Sequence, residues 1–240
     1  MEILDEYIAF VARGMSYDIP LTSRIIKTNC EYNNIKINEI IPKTQDGKDL
    51  SVEELEKIKK KLPIAVFSDN KDLLITVLNS DDKLQIQDRV NKFEDTTILS
   101  DLFEDILKEN IERFSRLEMI TVSYTRNYNA GEDKLKLLNV DIEKISDWDN
   151  NKTFILSIPI EYTDYTVVYK IQKLLSVEPN DKNRYYQVSA NFNFKLNSND
   201  KQAQIKTILQ RQNNGVYHEQ FAKKAEEFTR LIYERNEQKQ

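Results

Sequence analysis

The chain has 240 residues, of which 40% are hydrophobic and 31% charged, and its formal net charge is −5. This length can bury a sizeable core, and the apolar share is far above that of an intrinsically disordered chain. The negative net charge argues against a protein that binds nucleic acid through an overall positive charge. Four glycines are too few for folds that need glycine-rich phosphate loops.

The cellular setting follows from the cysteine count and the N-terminus. A single cysteine, Cys30, excludes an internal disulfide and fits a reducing compartment. The opening sequence MEILDEYIAFVARG carries acidic residues where a signal peptide needs positive charge. No apolar stretch reaches the length of about 18 residues that a membrane-spanning helix needs. We therefore expect a cytoplasmic protein that does not enter membranes.

The first half of the chain predicts helices around a group of strands. Apolar residues at helical spacing over residues 2–12 predict an N-terminal helix, which we bound at 1–19. Residues 22–41 alternate like two short strands with a turn at Asn33-Asn34. Ser51-Val52-Glu53-Glu54 is a capping box that opens a helix ending at Pro63. The later elements are strands over 63–68, 73–78 and 84–90, and a helix capped by Ser100 that runs to about residue 117.

The second half repeats the pattern. Strands are predicted over 119–128, 153–162, 165–175 and 184–196, followed by two helices. The strand over 184–196 is the clearest, because apolar residues from Tyr186 to Leu196 alternate with polar ones from Gln187 to Lys195. In the last helix an apolar stripe from Tyr217 to Ile232 must pack on another element.

Strands followed by a helix thus occur twice, over 20–118 and 119–240, with 130–152 as the connector. This order predicts an α+β protein with antiparallel sheets, each covered by helices on one face, and a long C-terminal helix. The two halves could form one extended sheet or two subdomains.

Three segments carry a resemblance to a known family. They are Thr121–Asn129 (TVSYTRNYN), Val140-Asp141-Ile142-Glu143, and Tyr217-His218-Glu219 with the apolar residues that follow it. In these segments the chain resembles a sporadically distributed bacterial family of α+β proteins of similar length, over about residues 63–235. That family has no established activity, so the resemblance implies a fold and no function.

The histidine count of the chain argues against the common histidine-dependent catalytic and metal sites. His218 is the only histidine, and the zincin-like start His218-Glu219 has Ala222 where the second histidine belongs. We interpret His218 as a helix residue off the apolar stripe. The segment Asp147–Asn151 begins like a calcium loop, but Lys152 and Ile158 occupy its glycine and glutamate positions. We predict no cofactor and no metal site of these kinds.

Carboxylates leave one enzymatic alternative open. Asp81, Asp82 and Asp88 flank a predicted strand and could hold a hard metal ion, although aspartate is common in turns for its local hydrogen bonds. A metal-dependent, nuclease-like enzyme therefore stays an alternative to a protein without catalytic activity.

Tyrosines and basic residues on the predicted strands indicate a binding surface. Twelve tyrosines are present, and several lie on strands interleaved with arginine and lysine. Such faces suit protein interfaces, and less readily nucleic acids in a chain of this charge. The candidate interaction surface comprises Tyr124, Arg126, Tyr128, Tyr185 and Lys195.

The leading functional hypothesis is a non-enzymatic interaction subunit or an accessory or inhibitory partner. Its partner would be another protein encoded nearby, or a second copy of the chain. The family resemblance and composition suggest an origin in a phage, a mobile element or an anti-phage defence system. A nucleic-acid-binding module that uses the Tyr/Arg strand faces is the other alternative.

Overall fold

The computed structural model describes most of the chain in segments. These are residues 2–15, 17, 19–40, 51, 53–54, 64–69, 73–78, 83–89, 95–110, 116–129, 155–174, 185–197 and 200–237. The predicted connector over 130–152, including the segment Val140–Glu143 and the calcium-like loop, lies outside them, as do Asp81 and Asp82.

Nine strands and four helices make up this part of the chain. The strands are β1 (Glu2–Arg13), β2 (Asn38–Glu39), β3 (Ile64–Ser68), β4 (Leu74–Leu78), β5 (Lys83–Arg89), β6 (Met119–Asn129), β7 (Ile155–Glu161), β8 (Thr166–Leu174) and β9 (Tyr185–Lys195). The helices are α1 (Ile19–Tyr32), α2 (Asp95–Glu109), α3 (Lys201–Asn213) and α4 (Val216–Glu237). The predicted α+β class is confirmed.

All nine strands belong to one antiparallel sheet with the order β2-β3-β4-β5-β1-β6-β9-β8-β7. In the first half of the chain, strands β3–β5 form a meander, and β5 pairs with β1. In the second half, strands β7–β9 form a meander, and β9 pairs with β6. The halves join where β1 pairs with β6 over eleven residue pairs, from Glu2↔Asn129 to Arg13↔Met119. The sheet is therefore continuous across the two halves.

One face of the sheet carries the core. The aligned side chains along one row, from β3 to β8, are Phe67, Ile75, Ile86, Phe10, Val122, Phe192 and Val167, all 0% exposed. Helices α1, α2 and α4 contact this row or its neighbours: Lys27 lies over the ring of Phe67, Phe103 contacts Phe10, and Tyr217 contacts Phe192. Burying each large apolar side chain contributes about 1.5–3 kcal/mol.

The predicted N-terminal helix is wrong. Residues 2–13 form β1, the strand at the junction of the halves, because apolar side chains occupy both of its faces and obscure the alternation. Strand β1 ends at Arg13, and the next residue, Gly14, has a φ of +87°, a left-handed conformation that favours glycine.

The two strands predicted over 22–41 are also wrong for most of that range. Helix α1 occupies Ile19–Tyr32, and its buried residues Thr22, Ile26 and Cys30 recur every four positions. The predicted turn is present, with Asn34 at a φ of +58°. Only the two-residue strand β2 follows it.

The other predicted elements that lie in the described residues agree with the predictions, with shifted boundaries. The helix predicted from Ser51 to Pro63 lies outside the described residues except at Ser51, Glu53 and Glu54. Helix α2 begins at Asp95, so Ser100 lies inside it rather than at its N-cap. The capping box is confirmed by its contacts, since the amide of Ser51 donates to Glu54 Oε2 at 3.0 Å and the amide of Glu54 to Ser51 Oγ at 3.3 Å. In the described residues, no helix has the length and apolar character needed to cross a membrane.

Candidate interaction face

The sheet face opposite the core is polar. Side chains alternate across the sheet along each strand, so residues one register position from the core row point to the other side. We define the polar face by the outward residues of its four central strands: Tyr7, Ala9, Val11 and Arg13 of β1; Lys83, Gln85, Gln87 and Arg89 of β5; Met119, Thr121, Ser123, Thr125 and Asn127 of β6; and Gln187, Ser189, Asn191, Asn193 and Lys195 of β9.

A chain of side-chain hydrogen bonds crosses this face. The amide of Gln172 donates to Gln187 Oε1 at 2.9 Å, and the amide of Gln187 donates to Asn127 Oδ1 at 2.8 Å. The amide of Asn127 then donates to Asp5 Oδ1 at 2.6 Å. These four residues lie on β8, β9, β6 and β1, which adjoin one another in the sheet. This series of hydrogen bonds therefore holds the side-chain amides in place across both halves of the molecule.

Two shorter contacts order the centre of the face. Ser123 Oγ donates to Asn191 Oδ1 at 2.6 Å, and Thr121 Oγ1 donates to Asn193 Oδ1 at 2.8 Å. The neighbouring β1 residues Ala9 and Val11 are small, and an open depression of about 580 Å³ lies over this region. The centre of the face is thus shallow, polar and held in place by its own hydrogen bonds.

Three cations lie in one row at the edge of this depression. The register aligns Lys83 with Arg13, Arg13 with Met119, and Met119 with Lys195. Adjacent strands lie about 4.8 Å apart, so the row spans roughly 15 Å. We call Lys83, Arg13 and Lys195 the cationic row. Arg13 and Lys195 are exposed, in a chain whose net charge is −5.

The other end of the polar face is different in charge. Glu2 and Asp5 lie on β1 at the end away from Arg13, opposite Asn129 and Asn127. Arg89 is close to this end, where its Nη2 donates to the carbonyl of Leu4 at 3.2 Å. The face therefore has a cationic end and an end of mixed charge.

A charged cluster is buried on the core side of the same two central strands. Glu6 and Arg126 are directly opposite each other on β1 and β6, and Arg126 Nε donates to Glu6 Oε2. The second oxygen of Glu6 lies 2.7 Å from His218 Nε2 on α4. The guanidinium group also lies 5.3 Å from the ring centroid of Phe221.

The pKa values of Glu6 and Arg126 favour their charged forms. Burial alone would raise the pKa of Glu6, but the hydrogen bond with His218 and the charge and hydrogen bond of Arg126 lower it below its usual value. For Arg126, burial opposes the charge, and the carboxylate of Glu6 outweighs it and raises the pKa of the guanidinium. Glu6 and Arg126 are 9% and 7% exposed, so the pair is desolvated and structural.

Next to the cluster, α3 and α4 are fastened to β6 by a buried tyrosine. The hydroxyl of Tyr124 donates to Gln212 Oε1 at 2.5 Å, and its ring stacks on Phe221 at a centroid distance of 5.4 Å. Burial raises the pKa of Tyr124 far above its usual range, although the bond to Gln212 opposes this. Tyr124 is thus a neutral core residue that holds two helices on the sheet.

The structure separates the five residues of the predicted interaction surface. Tyr124, Arg126 and Tyr128 are 0%, 7% and 3% exposed and face the core. Tyr185 and Lys195 lie at opposite ends of β9, where they pair with the outward-facing Asn129 and Met119 of β6. Both therefore lie on the face opposite the core. Of the five, only Lys195 belongs to the cationic row.

Sequence reasoning missed Arg13 and Lys83. Arg13 lay at the end of a predicted helix, and its place beside Lys83 and Lys195 depends on pairings between distant strands. The polar alternation of β9 was the available signal, since it predicted that Gln187, Asn191 and Lys195 share a face.

The carboxylates predicted as a possible metal site are described only in part. Asp88 lies on β5, where its Oδ1 accepts a hydrogen bond from the amide of Arg89 at 2.7 Å. Within the described segments, no group of three or more histidine, cysteine, aspartate or glutamate side chains could hold a metal ion. Comparisons with protein-family models, curated proteins and solved structures found no match for this chain.

Proposed function

We propose that the protein is a non-enzymatic interaction protein that docks an acidic segment of a partner protein on the polar face. The observation that carries the proposal is the cationic row, which three adjacent pairings of distant strands align on one sheet face. Arg13 and Lys195 are exposed on either side of Met119, so both cations are accessible to a negatively charged partner.

The spacing of the row suits an extended acidic segment. Arg13 and Lys195 lie on strands two positions apart, a separation of about 10 Å between backbones. In an extended peptide, side chains on one side recur about every 7 Å, within the reach of long lysine and arginine side chains. Acidic residues at alternate positions could therefore meet the row one after another.

The rest of the face supports a polypeptide partner. Asparagine and glutamine offer both donors and acceptors, which a peptide backbone or polar side chain can use. Their mutual hydrogen bonds hold them in place before binding, so less entropy is lost on association. The depression above Ala9 and Val11 leaves room for a partner's side chain.

The same cations could also contact phosphates, so nucleic acid is the competing ligand. A stacking surface for unpaired bases needs successive aromatic rings. Among the described outward-facing residues of the four central strands, the aromatic ones are Tyr7 and, at the far end of β9, Tyr185. The overall charge of −5 would also repel a long polyanion. These points favour an acidic protein segment over nucleic acid.

Binding of a defined probe tests the proposal. The probe is a fluorescent peptide of alternating glutamate and serine, compared with a lysine-serine peptide and a single-stranded oligonucleotide of equal length. Fluorescence anisotropy at low salt should show binding of the glutamate peptide alone. The double variant Arg13→Gln/Lys195→Gln should weaken binding several-fold to about thirtyfold, because ion pairs between exposed side chains contribute up to about 1 kcal/mol each.

The matched control is Lys206→Gln/Lys223→Gln, which removes two exposed lysines from α3 and α4. It makes the same change in net charge away from the polar face. If both double variants bind the peptide equally weakly, the effect is general charge and the docking site is wrong. Tighter binding of the oligonucleotide than of the peptide would overturn the choice of partner.

The identity of the partner requires a second measurement. Light scattering coupled to size-exclusion chromatography, with products of neighbouring genes, should give a complex that the Arg13→Gln/Lys195→Gln variant fails to form. A complex that survives this variant would place the interface elsewhere on the molecule.

A further inference from the structure

A second concave site lies at one end of the sheet, away from the centre of the polar face. It is an open pocket of about 560 Å³, within the size range of small-molecule sites. The turn between β7 and β8, the end of β9 and the facing side of α3 surround it. We call it the turn pocket, with Tyr162, Asp164, Tyr165, Gln204, Arg211 and Tyr217 as its principal lining.

An aromatic pair forms one wall of the turn pocket. The rings of Tyr162 and Tyr165 stack with centroids 4.8 Å apart and planes inclined by 16°. Gln220 braces both rings, since its amide donates to the hydroxyl of Tyr162 at 2.7 Å and its oxygen accepts from Tyr165 at 3.1 Å. Tyr162 is nevertheless 43% exposed, so a fixed aromatic surface remains open to a planar ligand.

Arg211 and the hydroxyl-bearing Tyr217, whose ring lies 6.0 Å from that of Tyr165, also line the turn pocket. Burial raises the pKa of Tyr217 to about 12, although a hydrogen bond from Arg211, exposed in the last turn of α3, and the charge of that arginine lower it. The hydroxyl of Tyr217 is itself buried, and within the described residues no acceptor lies at hydrogen-bonding distance for its proton. A buried donor of this kind is unfavourable unless a ligand satisfies it.

Among the described lining residues, one cation and one carboxylate have side chains on this side of the sheet, Arg211 and Asp164. Lys195 also lines the turn pocket at the end of β9, but its side chain alternates to the polar face. Arginine binds planar carboxylates and phosphates through two parallel hydrogen bonds, which lysine cannot do. A pocket that combines an aromatic wall with an arginine is therefore suited to a ring that carries an anionic group.

We propose that the turn pocket binds a small molecule made of a planar ring with a phosphate or carboxylate group. The ring would stack on Tyr162, the anion would pair with Arg211, and the ligand would accept a hydrogen bond from Tyr217. This site is independent of the docking of a protein segment on the polar face.

Paired probes separate the ring from the charge. Adenosine 5′-monophosphate and nicotinate carry a ring and an anion, whereas adenosine and nicotinamide keep the ring and lack the anion. Calorimetric titration of the full chain should detect at least one anionic probe at millimolar concentration. Its neutral counterpart should bind about tenfold more weakly or not at all, as expected for loss of a charge-assisted pair.

Three single variants test the contacts: Arg211→Gln, Tyr162→Ala and Tyr217→Phe. Each should weaken the anionic probe several-fold or more, while the control Lys206→Gln, on the same helix but outside the pocket lining, should not. Thermal melting of each variant checks that the fold persists. The proposal is overturned if neither anionic probe binds, if neutral probes bind equally well, or if Arg211→Gln binds like the unaltered chain.

Discussion

The buried pair of Glu6 and Arg126 should be strongly coupled to folding. Replacing Glu6 with glutamine keeps the shape and removes the charge, which leaves the desolvated guanidinium of Arg126 without its carboxylate. Breaking a buried ion pair from one side costs about 3–5 kcal/mol. Glutamine keeps part of the hydrogen bonding, so we expect the free energy of unfolding to fall by about 3 kcal/mol.

A double-mutant cycle sharpens the expectation. Arg126→Met should also cost about 3 kcal/mol, because among the described side chains His218 is then the remaining partner of Glu6. The combination Glu6→Gln/Arg126→Met removes both charges and should cost about 3 kcal/mol rather than 6, a coupling of roughly 3 kcal/mol. Urea unfolding at neutral pH, followed by far-ultraviolet circular dichroism, measures all four chains. Additive losses would refute the view that the pair acts as one unit.

The same pair gives a pH dependence of known sign. The pKa of Glu6 is lower in the folded protein than its ordinary value of 4.5. The stability that its ionisation contributes is present above pH 4.5 and is lost as the pH falls towards the folded-state value. The unfolding free energies of the unaltered chain and of Glu6→Gln should therefore approach each other as the pH falls from 4.5 towards the folded-state pKa of Glu6. A difference that stays constant with pH would contradict a lowered pKa of Glu6.

Three further predictions concern single sites. Tyr124→Phe should lower the free energy of unfolding by about 1–3 kcal/mol in urea, because Gln212, which is 0% exposed, loses its donor. Gly14→Ala should lower the melting temperature, with a cost of about 2 kcal/mol, since the residue has a φ of +87° and a new Cβ would lie 2.8 Å from the carbonyl oxygen of Arg116. Cys30 is 1% exposed and its pKa is raised to about 11 by burial, so a thiol reagent should label it slowly at neutral pH and fast in urea; fast labelling of the folded chain would contradict its burial.

The sequence predicted most strands correctly where one face is wet. In β5, Leu84 and Ile86 are buried while Gln85 and Gln87 are not, and the same alternation marks β9. The signal failed at β1, where Ile8 and Phe10 face the core while Ala9 and Val11 are almost equally buried on the other face. A centrally placed strand carries apolar residues on both sides, so its period of two is lost.

Helix α1 was missed because its helical spacing is hard to recognise. Its buried positions include Thr22 and Cys30 as well as Ile26, and the period of four is visible only if threonine and cysteine count as core residues. Thr22 can be buried because its hydroxyl accepts a hydrogen bond from the amide of Asn110 at 3.3 Å. That partner lies 88 positions away and has no local signature.

The candidate sites depended even more on distant pairings. Glu6 and His218 are separated by 212 positions, and neither carries a motif that indicates the other. The cationic row requires three strand registers at once, each set by hydrophobic patterning along the whole strand. The contact between Tyr162 and Tyr165 had a local signal in the sequence, because a short turn joins the two residues and the strands on either side of it were predicted.

The junction of β1 and β6 links the proposed docking face to the stability of the fold. Arg13 of the cationic row and Glu6 of the buried pair lie on the same strand, on opposite faces of the sheet. A partner on the polar face would contact strands from both halves and would bind only while these are paired. It should therefore stabilise the folded chain, by about 2.7 kcal/mol at a hundredfold excess over its dissociation constant. The Glu6→Gln variant weakens the junction and keeps every cation, whereas Arg13→Gln/Lys195→Gln keeps the junction and removes two. If the acidic peptide raises the melting temperature of the first variant and not of the second, the cations are direct contacts; the reverse result would mean that binding depends on the junction alone.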